Sequence, residues 1–496
     1  MNRNTVPKNS LQGLVENFIY EELDEDKYEL ISIFSPELLT WNRFDLGFKL
    51  FYLDLTNKNP SLANRVYQED IRSQTLGKFK EPGNNKKNSF QKYIKKFEDI
   101  DFRIKKYGFD AQKSIIPLSE TDTIINGAHR VASAIHSQKE LRCVRLNQKV
   151  MICDYKYFYE RSVPEHILDI AACKFIEYAY NLYMAFLWPS GKGFNDEVES
   201  KFSNIVYKKE IKLTPQGAFN LLVELYKHMD WVGPPENRYP GIQKKILECF
   251  PDFSPFKVIV FQEKNIDKVK AIKDEVRSIY NIGFSSVHIT DTKEEVVRIS
   301  NLLCNANGIH FLNYSDPIKY QFFYQNLENF GEFLSRHEID RNDVLIDGSA
   351  ILTLYGLRKN LDIDFLISGN SSISMPSSNF ENHDSELKYH QTSKEDLIYD
   401  GKYFFQFKGF KFLSFTQLYK MKKRRGERKD RNDCGMMEAL LEGNAYKQHI
   451  AKIKQYFFYS RIKAAKMTNT FILNCLKFTR LYSPVRHVYL KIKNQR

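Results

Sequence analysis

Nowhere in its 496 residues does the chain approach the roughly eighteen consecutive apolar residues that a membrane-spanning helix needs. Its first residues, MNRNTVPKNSLQGLVENF, lack the apolar core followed by small residues that marks a secretory signal. The seven cysteines, at 143, 153, 173, 249, 304, 434 and 475, never fall as Cys-x-x-Cys. That spacing excludes a zinc ribbon and a disulfide framework, and dispersed thiols read as reduced core residues of a cytoplasmic protein. Acidic residues are missing from Lys447 to Arg496, a stretch that holds twelve Lys and Arg. Setting it aside reduces a net charge of +13 to 62 basic against 61 acidic residues in the body. Nucleic-acid surfaces usually spread basic residues over a face of the fold. A neutral body without a clear helix-turn-helix pattern makes nucleic acid the less expected partner.

What remains is globular in composition, 42% hydrophobic and 27% charged, and long enough for two to four domains. The most informative stretch is 344–368, VLIDGSAILTLYGLRKNLDIDFLIS. An apolar strand, Val344 to Ile346, runs into Asp347-Gly348-Ser349, a short apolar helix follows, and a second strand carries Asp362-Ile363-Asp364. Alternate residues of a strand share a face, so Asp362 and Asp364 point the same way. Adjacent carboxylates call for a cation, and Mg²⁺ prefers a few carboxylates with phosphate oxygens. Gly348 allows a phosphate to approach the backbone, and Ser349 heads a helix whose amides favour an anion.

Gly-Ser, about a dozen residues and then Asp-x-Asp resembles the nucleotidyltransferase superfamily, over roughly residues 335–440. The resemblance implies that Asp362 and Asp364 hold Mg²⁺ while Gly348 and Ser349 bind nucleotide phosphates. Members often add a third carboxylate on a following strand. The hairpin YFFQFKGFKFL at 403–413 has none, which leaves Asp400, Asp384 or Asp396 as alternatives. Residues 417–441 read as one helix bearing Lys422, Arg425 and Lys429 on a single stripe. It resembles the Lys-Asp-x-x-Asp helix that trails related bacterial domains, where a lysine faces the triphosphate. Such a stripe either neutralises phosphate or faces solvent.

A second motif lies at 108–146. Strand-like Ser114 to Leu118, a short strand Thr123 to Ile125, then Asn126-Gly127-Ala128-His129-Arg130 opens a helix, and Leu141 to Leu146 returns as a strand. Backbone amides, an imidazole and a guanidinium at such a junction suit a phosphate. Gly-x-His-Arg resembles the ParB/sulfiredoxin superfamily, which includes small-molecule kinases and CTP-dependent DNA clamps. The resemblance implies that Gly127, His129 and Arg130 bind a nucleotide, ATP or CTP. Glu120 and Asp122 are the local candidates for a base or metal ligand, or are solvated turn residues.

The sequence divides into a helical region (1–100), the ParB/sulfiredoxin-like module (101–150), a central α/β region (151–330), the nucleotidyltransferase-like mixed sheet (335–445) and a basic amphipathic tail (446–496). In the central region, Pro164 to Phe186 reads as a long helix, FKVIVF (256–261) and 286–289 as strands, and Thr292 with Glu295 as a capping box. His288, Asp291 and Glu294 follow a strand end, where α/β folds bind ligands, or serve that cap alone. Lys208, Lys209 and Lys273 reach phosphates or solvent. The tail alternates basic and aromatic residues, as an interfacial helix on anionic lipid requires; RNA binding or packing on the body are its other readings. These readings give an α/β and α+β multidomain enzyme, a Mg²⁺-dependent nucleotidyl- or phosphotransferase of the inner membrane face. Chains of this kind resemble proteins of bacterial surface-polysaccharide assembly, implying a glycan or lipid-linked glycan acceptor. A toxin-like transferase acting on RNA, and a glycan kinase centred on the N-terminal module, are the alternatives.

Overall fold

Among the described residues, short apolar runs broken by Gly, Asn and Asp turns build three small sheets, linked by helices whose apolar stripes cover them. The computed structural model describes residues 5–80, 87–148, 150–360, 362–369 and 379–441, with isolated positions between 464 and 478. The fold is mixed α/β. No helix among the described residues is long and apolar enough to cross a membrane. The basic tail, apart from those isolated positions, lies outside the described residues.

The first sheet contains β1 (Thr5–Pro7), β2 (Lys27–Phe34), β3 (Ile116–Ser119) and β4 (Glu140–Leu146), in the order β1-β2-β4-β3. β4 runs antiparallel to β2 and parallel to β3. The helical reading of residues 1–100 therefore gives way at its start, where two strands join the module that follows them. KYELISIF is a strand although, with both faces largely exposed between β1 and β4, it shows no clean apolar alternation. From residue 45 onward the expectation of helices holds, at Asp45–Leu55, Pro60–Gln74 and Phe90–Tyr107.

The second sheet is antiparallel throughout: β5 (Leu182–Leu187), β6 (Ile205–Ile211), β7 (Phe256–Gln262) and β8 (Val287–Ile289), ordered β6-β7-β5-β8. The long helix expected from Pro164 to Phe186 stops at Tyr178, and LYMAFL becomes β5, flanked by β7 and β8. A strand buried on both faces is uniformly apolar, so periodicity cannot distinguish it from a buried helix.

The third sheet has β9 (Val344–Asp347), β10 (Ile363–Ile367), β11 (Phe380–Asn382), β12 (Phe404–Phe407) and β13 (Phe410–Leu413), in the order β11-β10-β9-β13-β12. It is mixed: β10 is antiparallel to β9, while β11 is parallel to β10 and β13 parallel to β9. The expected helix 417–441 is two helices, Phe415–Arg425 and Arg428–Leu441. Gly426, at φ +68°, ends the first in the left-handed conformation that glycine adopts without strain. The supposed stripe of Lys422, Arg425 and Lys429 is broken there.

One apolar core takes in side chains of all three sheets, from Leu38 to Met437. The helices at 45–74 also tie to the third sheet's unit through polar contacts. Lys58 meets Asp343 at 2.6 Å, Asn59 donates to Asp396 at 2.8 Å, and Arg65 meets Asp400 at 2.7 Å.

Candidate functional site

The register of the third sheet sets Asp364 of β10 opposite Asp347 of β9, and beside Glu381 of β11. In-register neighbours share a face, so three carboxylates cross three strands in a row. Asp362 lies in the bend just before β10, rather than on the strand as the sequence suggested, and near enough for Asp364 to feel its charge. The carboxylate of Asp362 makes no hydrogen bond or ion pair among the described residues. Asp347 is fully buried, and two histidines approach its Oδ2: His383 Nδ1 at 3.4 Å and His390 Nε2 at 3.3 Å. The other ring nitrogen of His383 lies 3.4 Å from Asp364 Oδ1, so one imidazole spans both carboxylates.

Electrostatics follow from this crowding. Burial alone would raise the Asp347 carboxyl, but the two histidines hold it far below the usual range. Asp364 moves the other way, to about 6, because burial and the charges of Asp362, Asp347 and Glu381 outweigh His383. For His383, burial works against the proton; its hydrogen bond to Asp347 and the charges of Asp347 and Asp364 prevail and raise its pKa. The row thus gathers several carboxylates around the His383 imidazole, in hard oxygen donors of the kind Mg²⁺ takes. Among the described residues no group of three or more His, Cys, Asp or Glu forms a metal cage. The residues fit a magnesium held by two carboxylates with its remaining positions left to water and phosphate.

Gly348 follows Asp347 at φ +68°, and its amide donates to Asp347 Oδ1 at 2.6 Å. The amide expected to cradle phosphate is therefore engaged by its own neighbour. A Cβ at this position would overlap the Asp364 carboxylate, so glycine lets β10's aspartate close over the turn. Ser349 begins the helix Ser349–Leu354 half-buried, and its hydroxyl makes no hydrogen bond among the described residues.

Cations reach this face differently from the sequence reading. Lys422 is buried and committed to Asp433 at 2.9 Å and Asp430 at 3.3 Å. Asp433 also binds Arg358 through both oxygens, at 2.7 and 2.9 Å, and Asp430 likewise grips Arg425. Lys429 is exposed and, among the described residues, meets only Glu427, at 3.3 Å. The guanidinium whose charge is felt by Asp362 and Asp364 is that of Arg358, held in place from the second helix. Asp400 takes its partners elsewhere, from Arg65 and from the Lys402 amide at 3.0 Å. Of the other third-carboxylate candidates, Asp384 pairs with Lys394 at 3.1 Å, and the Asp396 carboxylate accepts from Asn59 while its amide donates to the capping Ser393 Oγ at 3.0 Å. Asp347, Glu381, Arg358, His383 and His390 were missed. Only Asp347, adjoining Gly-Ser, carried a signal in the sequence.

At the N-terminal motif, Gly127 (φ +95°) caps the helix Ala128–His136 as expected. His129, however, meets the Tyr67 hydroxyl at 2.7 Å and packs edge-on to Phe97. Burial holds it neutral, well below the usual histidine range. Arg130 pairs with Glu16 at 2.8 Å. Asp122 is gripped by Arg145 at 2.7 Å. In the central region half of the expected capping box forms: Glu295 N donates to Thr292 Oγ1 at 3.2 Å, while the Glu295 carboxylate accepts from Asp291 N at 3.1 Å rather than from Thr292. Lys208 pairs with Glu199, and Lys209 with Asp169.

Comparison with known protein families, curated proteins and solved structures finds no match to this chain.

Proposed function

We propose that the chain is a Mg²⁺-dependent nucleotidyl- or phosphotransferase whose reaction centre is the Asp347–Asp364–Glu381 row. The observation that carries this reading is the row itself, with Asp362 beside it and Gly348 beneath Asp364. Its strand–Gly-Ser–helix–strand frame supports a nucleotidyltransferase-like domain, and the strand–turn–helix around Gly127 supports a ParB/sulfiredoxin-like one. Asp362 and Asp364 are the groups that would hold the ion. Bound magnesium supplies neutralisation of the charge that develops on transferring phosphate oxygens.

The remaining roles belong to the chain. Arg358, fixed by Asp433, presents a guanidinium toward the same anion. His383 holds a proton between Asp347 and Asp364 and so orients both carboxylates. His390, buried, fixes Asp347 from the other side. Lys422 serves as a positioning residue for Asp433 rather than a phosphate ligand. The acceptor is a cell-surface glycan or lipid-linked precursor, met at the membrane face through the basic tail; the tail's composition and the family resemblance support this.

Nucleotide turnover by Asp364→Asn and Arg130→Ala tests the assignment. Loss in the first and retention in the second is expected. The reverse pattern would move the chemistry to the N-terminal module, as a kinase. Nucleotide incorporation into RNA, with salt-sensitive binding, would favour the transferase acting on RNA.

A further inference from the structure

A cleft of about 650 Å³ opens beside β8, between the helices Pro240–Cys249 and Ile266–Tyr280. That volume lies within the range of small-molecule sites. We propose that it binds a nucleoside phosphate, at a site separate from the carboxylate row of the third sheet.

The charge argument comes first. Four cations line the cleft, Lys244 and Lys245 from one helix and Lys273 and Arg277 from the other, against the acids Glu248 and Asp291. Lys273 and Arg277 are four apart and share a helix face. Lys244 and Lys273 make no hydrogen bond or ion pair among the described residues. Arg277 stacks over Phe284 at 4.6 Å and reaches Asp274 only at 3.4 Å, which leaves its Nε buried without a partner. Lys245 donates to Phe284 O at 3.0 Å and leans toward Glu248 at 3.9 Å. Surface lysines normally extend into water or pair with an acid. Here two of them, Lys244 and Lys273, converge on one concavity with their amines unpaired among the described residues and a guanidinium alongside, as an anion with several oxygens requires.

The second argument is aromatic. Trp231 and Phe284 stand on the cleft 48% and 75% exposed, an unfavourable state for such large rings. Trp231 is fixed by Tyr226, with ring centroids 5.4 Å apart. Gly241 lets the helix Pro240–Cys249 close against Trp231, because a Cβ there would overlap the Trp231 carbonyl. Rigid exposed rings beside unpaired cations recognise a planar group joined to phosphate. A nucleotide has both; inorganic phosphate and a simple sugar phosphate lack the planar group.

The test measures binding of ADP, pyrophosphate and adenosine by calorimetry in EDTA, in an Asp364→Asn background that separates this cleft from the magnesium-dependent site. ADP is expected to bind, with K273Q weakening it by about tenfold or more. W231L is expected to weaken ADP while leaving pyrophosphate unchanged. Both side chains are partly exposed and neither variant removes an ion pair, so both fold. Failure of ADP to bind, or binding unaffected by K273Q, overturns the site. Pyrophosphate binding as tightly as ADP overturns the role of the rings. Loss of turnover in Asp364→Asn with ADP still bound here separates this cleft from the proposed reaction centre.

Discussion

Gly348 has no side chain because the carboxylate of Asp364, arriving from the neighbouring strand, occupies the volume a Cβ would need. The turn and the aspartate are thus one steric unit, although fifteen residues of helix and loop separate them.

Gly348→Ala is accordingly expected to do more than strain a left-handed backbone. It displaces Asp364 and should abolish magnesium-dependent nucleotide turnover while costing about 2–4 kcal/mol of stability. Gly409→Ala is the control. Its φ is +75°, but the nearest atom to a Cβ is Arg341 Nη1 at 3.8 Å, so only backbone strain of about 1 kcal/mol remains. Equal losses of melting temperature in the two variants would contradict the steric account.

Asp364→Asn and Asp400→Asn should separate chemistry from scaffolding. The first is expected to reduce turnover by at least about a thousandfold, in line with removal of a principal electrostatic group. The second loses the Arg65 contact, worth about 1 kcal/mol because Arg65 is largely exposed, and should keep turnover within a few fold. Steady-state kinetics together with urea unfolding distinguish them.

Lys422→Met removes one charge from a buried network and leaves Asp430 and Asp433 each with one arginine. A loss of roughly 3 kcal/mol in chemical denaturation is expected. Lys429→Gln, on an exposed side chain, should change stability by less than about 0.5 kcal/mol. A larger loss for Lys429→Gln than for Lys422→Met would overturn this division between a buried network and an exposed side chain.

A pH dependence attaches to Lys411, which donates to the carbonyls of Asn342 at 2.7 Å and Ile398 at 2.9 Å. Burial first, and then the charges of Lys174 and Lys58, bring it from 10.5 down to about 7. Between about 7 and 10.5 the unfolded chain holds this proton and the folded chain does not. Stability therefore rises with pH across that window, and below it the contribution is flat at its least favourable. Melting temperatures from pH 7 to 9 should climb in the wild type relative to Lys411→Met; parallel profiles would refute the assignment.

The glycine turns that open the helices at Ser349 and Ala128 were legible from residue order, because turns and caps act over a few neighbours. So were the helices at 45–55, 90–107 and 266–280, whose apolar spacing is regular. What the sequence left open was decided by partners distant along the chain. Asp347 joins Asp364 only through antiparallel register, His383 and His390 reach them after a long excursion, and Lys422 is claimed by aspartates beyond a break at Gly426. β5 is a strand rather than a helix because β7 and β8 hydrogen-bond to it. Burial and register are properties of the packed chain, and they determine which charges meet.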